Sequence, residues 1–177
     1  IVAIRGHWAE TSIDWAFTTA ITPGCPTDGA TAGSTCPELD VTRDEMAQFM
    51  WRSKGQPAPT TTAAFEDVAV DATYTTAVDW LAEQQITLGC TTTTYCPDGT
   101  VTRAEMAAFL WRLEGSPEGS TPAGFGDVPE GAFYGAAADW LLASGTTTGC
   151  TTSSYCPDGL VTRAEMFTFL KRLEDAA

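Results

Sequence analysis

One short motif occurs three times in the chain, at intervals of 60 residues, and this period constrains the fold more than any other feature. The copies occupy residues 41–46, 101–106 and 161–166; the first reads Val-Thr-Arg-Asp-Glu-Met and the others read Val-Thr-Arg-Ala-Glu-Met. A Cys-Pro pair precedes each copy, and an apolar segment follows it. A fixed period of this kind is typical of architectures that use one supersecondary unit several times. The sequence therefore predicts three equivalent units.

Alignment on the cysteines gives the limits of these units. The segments between them are rich in proline, threonine and other small residues, which is typical of exposed connections. A two-helix unit of this size cannot bury its apolar face alone, so we expect residues 1–177 to form one domain. The predicted parts are repeat 1 (residues 1–53), a linker (54–64), repeat 2 (65–114), a second linker (115–124) and repeat 3 (125–174).

Each repeat has the pattern of a helix, a loop and a second helix. The spacing of apolar residues predicts first helices over residues 11–19, 74–84 and 134–143. In repeat 2, Thr102 and Glu105 form the signature of a capping box, and an apolar stripe with helical spacing begins at Met106. No segment shows the alternation of a strand, so the prediction is an all-α fold. Three such repeats either stack linearly or close into a pseudo-threefold cluster, and the absence of distinct polar capping units favours closure.

Six cysteines fall two to a repeat, at the same place in each. Spacing alone does not select their pairing, but the repetition favours one local disulfide per repeat over free thiols or metal ligation. A zinc site needs four ligands, and each repeat offers two thiolates without a nearby histidine. Disulfides indicate a location outside the cytosol. The predicted pairs are Cys25 with Cys36, Cys90 with Cys96, and Cys150 with Cys156.

The charge balance excludes several classes of partner. Nine lysines and arginines stand against 23 acidic residues, giving a net charge of -14, so neither nucleic acid nor a membrane is an expected partner. His7 is the single histidine, which argues against a histidine-based catalytic site repeated in each unit. The acidic residues do not recur as a separate catalytic pair. We therefore predict no enzymatic activity, no cofactor and no metal.

Three features together resemble the S-layer homology family. They are Phe65-Glu-Asp67-Val68, Tyr95-Cys-Pro97 and the Val-Thr-Arg-Ala-Glu motif, and the resemblance covers the whole chain as three tandem repeats. The loop cysteines resemble a variant found in high-GC Gram-positive bacteria. The resemblance implies a three-pronged, pseudo-threefold helical domain that anchors secreted proteins to the cell wall by binding secondary cell-wall polysaccharide.

The resemblance also implies a set of glycan-binding residues. By position these are the motif arginines, the aspartate near the start of each repeat and an aromatic residue after it. Repeat 1 lacks the aspartate, because Ile-Val-Ala-Ile stands there, and the aromatic position is occupied by Thr73 in repeat 2 and Phe133 in repeat 3. The implied residues are Arg43, Arg103, Arg163, Asp67, Asp127 and Trp8.

Physical chemistry allows two roles for the motif arginines. At the first turn of a helix, a guanidinium lies beside outward-facing backbone amides, where anions are favoured, and it grips a carboxylate in a bidentate manner. Alternatively, each arginine pairs with an acidic residue of a neighbouring repeat, such as Asp67 or Asp127, and joins the repeats together. Both roles are compatible with a groove between repeats.

Two functions follow from these observations. The first is a non-catalytic, extracellular anchoring module that binds acidic secondary cell-wall polysaccharide in grooves between repeats. The alternative is a structural subunit of a surface layer or an extracellular filament, assembled through self-association or through contacts with other surface proteins.

Overall fold

A computed structural model describes residues 5–25 and 34–176, and in these ranges it contains six α-helices and no strand. The all-α prediction is confirmed, and the ends of the first helix of each repeat lie within one residue of the predicted ends. None of the helices in the described ranges combines the length and apolar character needed to cross a membrane. The helices are α1 (Glu10–Thr18), α2 (Arg43–Ser53), α3 (Thr75–Glu83), α4 (Arg103–Leu113), α5 (Gly135–Ala143) and α6 (Arg163–Ala176).

The helices pack in cyclic order around the repeats. The second helix of each repeat packs against the first helix of the next: α2 on α3, α4 on α5, and α6 on α1. The last of these contacts joins repeat 3 to repeat 1, which a linear stack of three units would not allow. We interpret this cycle as the predicted pseudo-threefold cluster, and the exact limits of the repeats and linkers stay predictions.

The valine that opens each motif lies at the centre of the molecule. Val41 donates its backbone N–H to the carbonyl of Val161 at 2.8 Å, Val161 donates to Val101 at 3.0 Å, and Val101 donates to Val41 at 3.0 Å. All three valines are buried. Because one closed cycle of hydrogen bonds ties the three motifs together, the following helices all begin around a common point.

The predicted apolar stripe of each second helix forms much of the core. Met46, Met106 and Met166 are fully buried, and so are Leu110 and other stripe residues. Burial of one such side chain contributes about 1.5–3 kcal/mol, so the stripes supply much of the driving force for closure. A single repeat would leave its stripe in water, which is why the repeats depend on one another.

The helix starts differ in one respect between repeats. In repeat 2, Glu105 donates its backbone N–H to the Thr102 hydroxyl at 3.2 Å, and Thr102 donates its own N–H to the Glu105 carboxylate at 2.9 Å. Repeat 3 has the same reciprocal pair of bonds. In repeat 1 the Thr42 hydroxyl donates to Asp44, where the other copies have alanine. The motif therefore makes the same capping hydrogen bonds in repeats 2 and 3, whereas in repeat 1 its threonine hydroxyl also binds Asp44.

One disulfide lies in each repeat, as predicted. Cys25 pairs with Cys36, Cys90 with Cys96, and Cys150 with Cys156. Each bridge pins the loop between the two helices of its repeat. In repeat 2 that loop also requires glycine, because Gly89 has a φ of 82° and an added Cβ would lie 2.3 Å from the Thr91 carbonyl oxygen.

Candidate functional site

The motif arginines lie buried where one repeat meets the next. Each begins a second helix, and their exposed fractions are 4% for Arg43, 7% for Arg103 and 1% for Arg163. Each guanidinium donates its Nε–H to a loop carbonyl of the following repeat. The acceptors are Tyr95 for Arg43 (2.7 Å), Tyr155 for Arg103 (2.9 Å) and Thr35 for Arg163 (2.8 Å).

A glutamate of the following motif is the second partner of each arginine. These ion pairs run in a cycle around the molecule, so the arginines do join the repeats, with motif glutamates as partners instead of Asp67 or Asp127. The glutamate of repeat 1 is more deeply buried, with 12% of its side chain exposed against 32% and 29% for the other two. The pairs are Arg43 with Glu105 (3.1 Å), Arg103 with Glu165 (3.7 Å) and Arg163 with Glu45.

The predicted aspartates hold the cysteine loops. Asp67 accepts hydrogen bonds from the backbone N–H groups of Tyr95 and Cys96, both at 2.7 Å. Burial acts to raise the pKa of the Asp67 carboxyl, but these donors and the charge of Arg43 lower it below its ordinary value. Asp67 thus holds the Tyr95–Cys96 peptide, whose carbonyl also accepts a hydrogen bond from Arg43. The equivalent set in the next repeat is Asp127, Tyr155, Cys156 and Arg103.

The first open groove, called here the Arg43 groove, has a volume of about 280 Å³. Arg112 lines this groove and is half-buried, and Phe133 of repeat 3 also lines it and is 64% exposed. The groove therefore combines residues of all three repeats. Its lining residues are Arg43, Leu88, Gly89, Cys90, Glu105, Ala108, Phe109, Arg112 and Phe133.

The second open groove, called here the Arg103 groove, has a volume of about 160 Å³. Trp8 of repeat 1 lies at this groove and is 64% exposed, and Arg172 supplies an exposed guanidinium. The structure thus brings Trp8 and Arg103, two of the predicted site residues, to one surface. The lining residues are Trp8, Arg103, Thr147, Thr148, Gly149, Glu165, Thr168, Phe169 and Arg172.

In each open groove, one atom of the motif arginine has no hydrogen-bond partner in the described part of the chain. The Nη2 atoms of Arg43 and Arg103 are buried and lack a hydrogen-bond acceptor among residues 5–25 and 34–176. The guanidinium carbon of Arg43 lies 5.0 Å from the ring centre of Tyr95, and that of Arg103 lies 5.1 Å from Tyr155. The rings favour the cation but do not accept a hydrogen bond in the plane of the guanidinium. A buried donor without an acceptor costs about 1–3 kcal/mol.

The third copy, called here the Arg163 junction, is satisfied within the protein. Arg163 donates from Nη2 to the Thr22 hydroxyl at 3.0 Å and to the Gly24 carbonyl at 2.7 Å. Burial raises the pKa of Glu45, although Arg163 acts to lower it, and burial lowers the pKa of Arg163. The junction is therefore a desolvated ion pair whose donors already have acceptors.

A second set of arginines was not singled out as a site from the sequence. Arg52, Arg112 and Arg172 each follow a motif arginine by nine residues, so the same 60-residue period marks them. Each donates from Nη1 to the carbonyl at the start of a cysteine loop: to Ile21, Ile86 and Thr146 respectively. Burial lowers the pKa of Arg52 and of Arg112. In the described part of the chain, none of the three forms an ion pair with a carboxylate.

Comparison with known families identifies the middle of the chain. Residues 64–107 match the S-layer homology domain. An S-layer homology domain is present there. It covers about a quarter of the chain and contains Asp67, the repeat 2 disulfide and Arg103. S-layer homology domains are non-catalytic modules of cell-surface proteins that anchor them to the cell wall through its polysaccharides.

A curated relative extends the likeness over half of the chain. The endo-1,4-beta-xylanase A of Thermoanaerobacterium saccharolyticum is 36% identical over 90 residues, which are 51% of this chain and 8% of that protein. The chain therefore spans a small part of the length of this relative, and the likeness concerns one segment of it.

Proposed function

We propose that the chain is a non-catalytic, extracellular anchoring module that binds acidic cell-wall polysaccharide in grooves between its repeats. One observation carries the proposal: each of two open grooves is lined both by an exposed aromatic ring and by an arginine that has no carboxylate partner in the described part of the chain. In the Arg43 groove these are Arg112 and Phe133, and in the Arg103 groove they are Arg172 and Trp8.

The proposal extends the S-layer homology assignment from residues 64–107 to all three repeats and to their cysteine-bearing form. The cycle of motif ion pairs supports this extension, because Arg43, Arg103 and Arg163 each reach the motif glutamate of the next repeat. Repeats 1 and 3 occupy similar places in the cycle, have a disulfide in the same loop and show the same helix order. These features support treating them as copies of repeat 2.

The chemistry of the grooves favours an acidic sugar. A guanidinium recognises a carboxylate or phosphate through paired, charge-assisted hydrogen bonds. The aromatic ring offers an apolar face, and the hydroxyl of Thr148 in the Arg103 groove both donates and accepts. The net charge of -14 gives no general attraction for a polyanion, so recognition depends on the local arginines.

Co-sedimentation with purified wall sacculi of the source organism tests the proposal. We expect the chain to sediment with intact sacculi and to stay in solution after acid extraction of the non-peptidoglycan polysaccharide. A double variant, Arg112→Ala with Arg172→Ala, should bind at least tenfold more weakly, since a hydrogen bond to a charged group contributes about 1.5–3 kcal/mol.

Lys171→Ala is the control for the loss of a positive charge outside the grooves, because Lys171 pairs with Asp175 and lines neither groove. It should bind as the unmodified chain does. Absence of binding to intact sacculi would overturn the proposal. Formation of sheets or filaments by the same preparation would then indicate the structural, self-associating role.

A further inference from the structure

We infer that two of the three repeat junctions bind glycan, the Arg43 groove and the Arg103 groove, and that the protein itself closes the Arg163 junction. The inference rests on the proposed function and adds its stoichiometry: two acidic sugar sites on each chain. It also assigns Arg112 and Arg172 as the arginines that contact the anionic group. Three independent differences between the junctions carry it.

The first difference is the hydrogen bonding of the buried arginines. Arg43 and Arg103 are more than nine-tenths buried and line their grooves, yet the Nη2 atom of each has no acceptor in the described chain. At Arg163 the protein supplies the two acceptors, Thr22 and Gly24. Of the equivalent loop residues, Gly89 lines the Arg43 groove and Thr147 and Gly149 line the Arg103 groove, but none of them accepts a hydrogen bond from the Nη2 atom of the motif arginine. An acceptor is therefore needed at two junctions and already present at the third.

The second difference lies four residues before the outer arginine. Gln48 accepts a hydrogen bond from Arg52 Nη2 at 2.8 Å. Ala108 stands at the equivalent position before Arg112, where it lines the Arg43 groove, and Thr168 stands before Arg172 and lines the Arg103 groove. The Thr168 hydroxyl donates to the Ala164 carbonyl and forms no hydrogen bond with Arg172. Within the described residues, an amide side chain therefore accepts a hydrogen bond from the outer arginine at the Arg163 junction and at neither open groove.

The third difference is the aromatic ring that comes from the remaining repeat. Trp8 of repeat 1 lines the Arg103 groove, and Phe133 of repeat 3 lines the Arg43 groove. The cyclic order assigns the same position of repeat 2 to the Arg163 junction, and that residue is the exposed Thr73. A sugar at this junction would therefore meet Thr73 where the other two have a ring, and within residues 5–25 and 34–176 each Nη atom of Arg163 and Arg52 already has an acceptor.

Calorimetric titration with acidic oligosaccharide tests the stoichiometry. The probe is a size-fractionated oligosaccharide released by acid from the same sacculi, short enough to occupy one groove. We expect two sites on the unmodified chain, one site after Arg112→Ala, one after Arg172→Ala, and none that are measurable after both changes. Arg52→Ala is the matched control in the closed junction and should keep two sites.

A charge-neutral variant tests the closing role of the amide. Ala108→Gln gives the Arg43 groove the residue that the closed junction has, so it should remove one site while every charge is kept. Gln48→Ala should leave two sites. Melting temperatures within a few degrees of the unmodified chain would show that each variant is folded, and the arginine variants decide the question if Ala108→Gln does not fold.

The outcomes separate the inference from the proposed function. Three sites, a single site, or loss of a site after Arg52→Ala would overturn the inference while leaving wall binding in place. No titration with the probe together with no sedimentation on intact sacculi would overturn the proposed function and the inference with it. Two sites on the unmodified chain, with one lost after Arg112→Ala and the other after Arg172→Ala, would establish both the proposed function and the inference.

Discussion

The Arg43 groove and the Arg163 junction are built from the same motif but are finished differently. In both, a buried arginine pairs with the motif glutamate of the next repeat. At Arg43 the adjoining loop residue is Tyr95, whose ring faces the guanidinium, and the Nη2 atom lacks an acceptor among the described residues. At Arg163 the adjoining loop residue is Thr35, and the loop at residues 22–24 supplies the missing acceptors.

This difference separates two tasks that the motif performs. The ion pair and the loop carbonyl hold neighbouring repeats together in all three copies, which is a structural task. Binding needs groups that the protein leaves unused, and these depend on residues outside the motif, such as Gln48 against Ala108. Three identical motifs therefore give one architecture without giving three equivalent sites.

The largest expected effect distinguishes the two arginines by stability. Arg163→Ala should lower the free energy of unfolding by about 3–5 kcal/mol, because it leaves Glu45 buried without its partner. Arg43→Ala should cost about 1–2 kcal/mol less, since Glu105 is more exposed and Arg43 makes fewer hydrogen bonds. Urea unfolding followed by circular dichroism measures both. Equal losses would mean that the two junctions are energetically alike.

A smaller effect concerns the disulfides. Removing Cys25–Cys36 by paired alanine substitution should cost about 3 kcal/mol, and removing Cys90–Cys96 about 2 kcal/mol, because the first closes a longer loop. Their sequence separations are 11 and 6 residues. The first bridge also lies next to Gly24 and Thr35, two of the acceptors of Arg163. Urea midpoints of the two variants measure the comparison, and a larger loss from Cys90–Cys96 would contradict it.

The smallest effect separates repeats 2 and 3, which carry the loop aspartates, from repeat 1. The folded-state pKa of Asp67 and of Asp127 lies below its ordinary value, so each carboxylate adds stability above about pH 4. That stability is lost as the pH falls through the folded-state pKa. Asp67→Asn and Asp127→Asn should each cost about 1 kcal/mol at pH 7, since both carboxylates are near the surface.

The difference between these variants and the unmodified chain should shrink as the pH is lowered from 5 towards 2. Unfolding free energies across this range measure it. Asp71→Asn changes an exposed aspartate outside the cysteine loops and is the control. A difference that stays constant down to pH 2 would show that the carboxylate charge is not what holds the loops.

Particular residues show how far the sequence alone reached. Thr102 and Glu105 marked the start of α4 because a capping box is a local arrangement that neighbouring residues complete by themselves. The disulfide pairing followed from repetition for the same reason. The alternative role of Arg43, pairing with an acidic residue of the neighbouring repeat, named Asp67 as an example, whereas the residue that pairs with it is Glu105. Glu105 lies 62 residues away along the chain, and only packing brings it near.

The sequence by itself determined that the protein consists of three helical pairs, and it favoured their closure into a cycle. Periodicity, capping and cysteine spacing are properties of short segments, so the sequence alone contains them. The tertiary structure decided which motif arginines have a hydrogen-bond acceptor for every nitrogen and which grooves Trp8 and Phe133 line. It also decided that Gln48 accepts a hydrogen bond from Arg52. Each of these depends on groups from different repeats meeting in space. Local patterns repeat along a chain, but hydrogen-bond satisfaction belongs to the folded assembly of its parts.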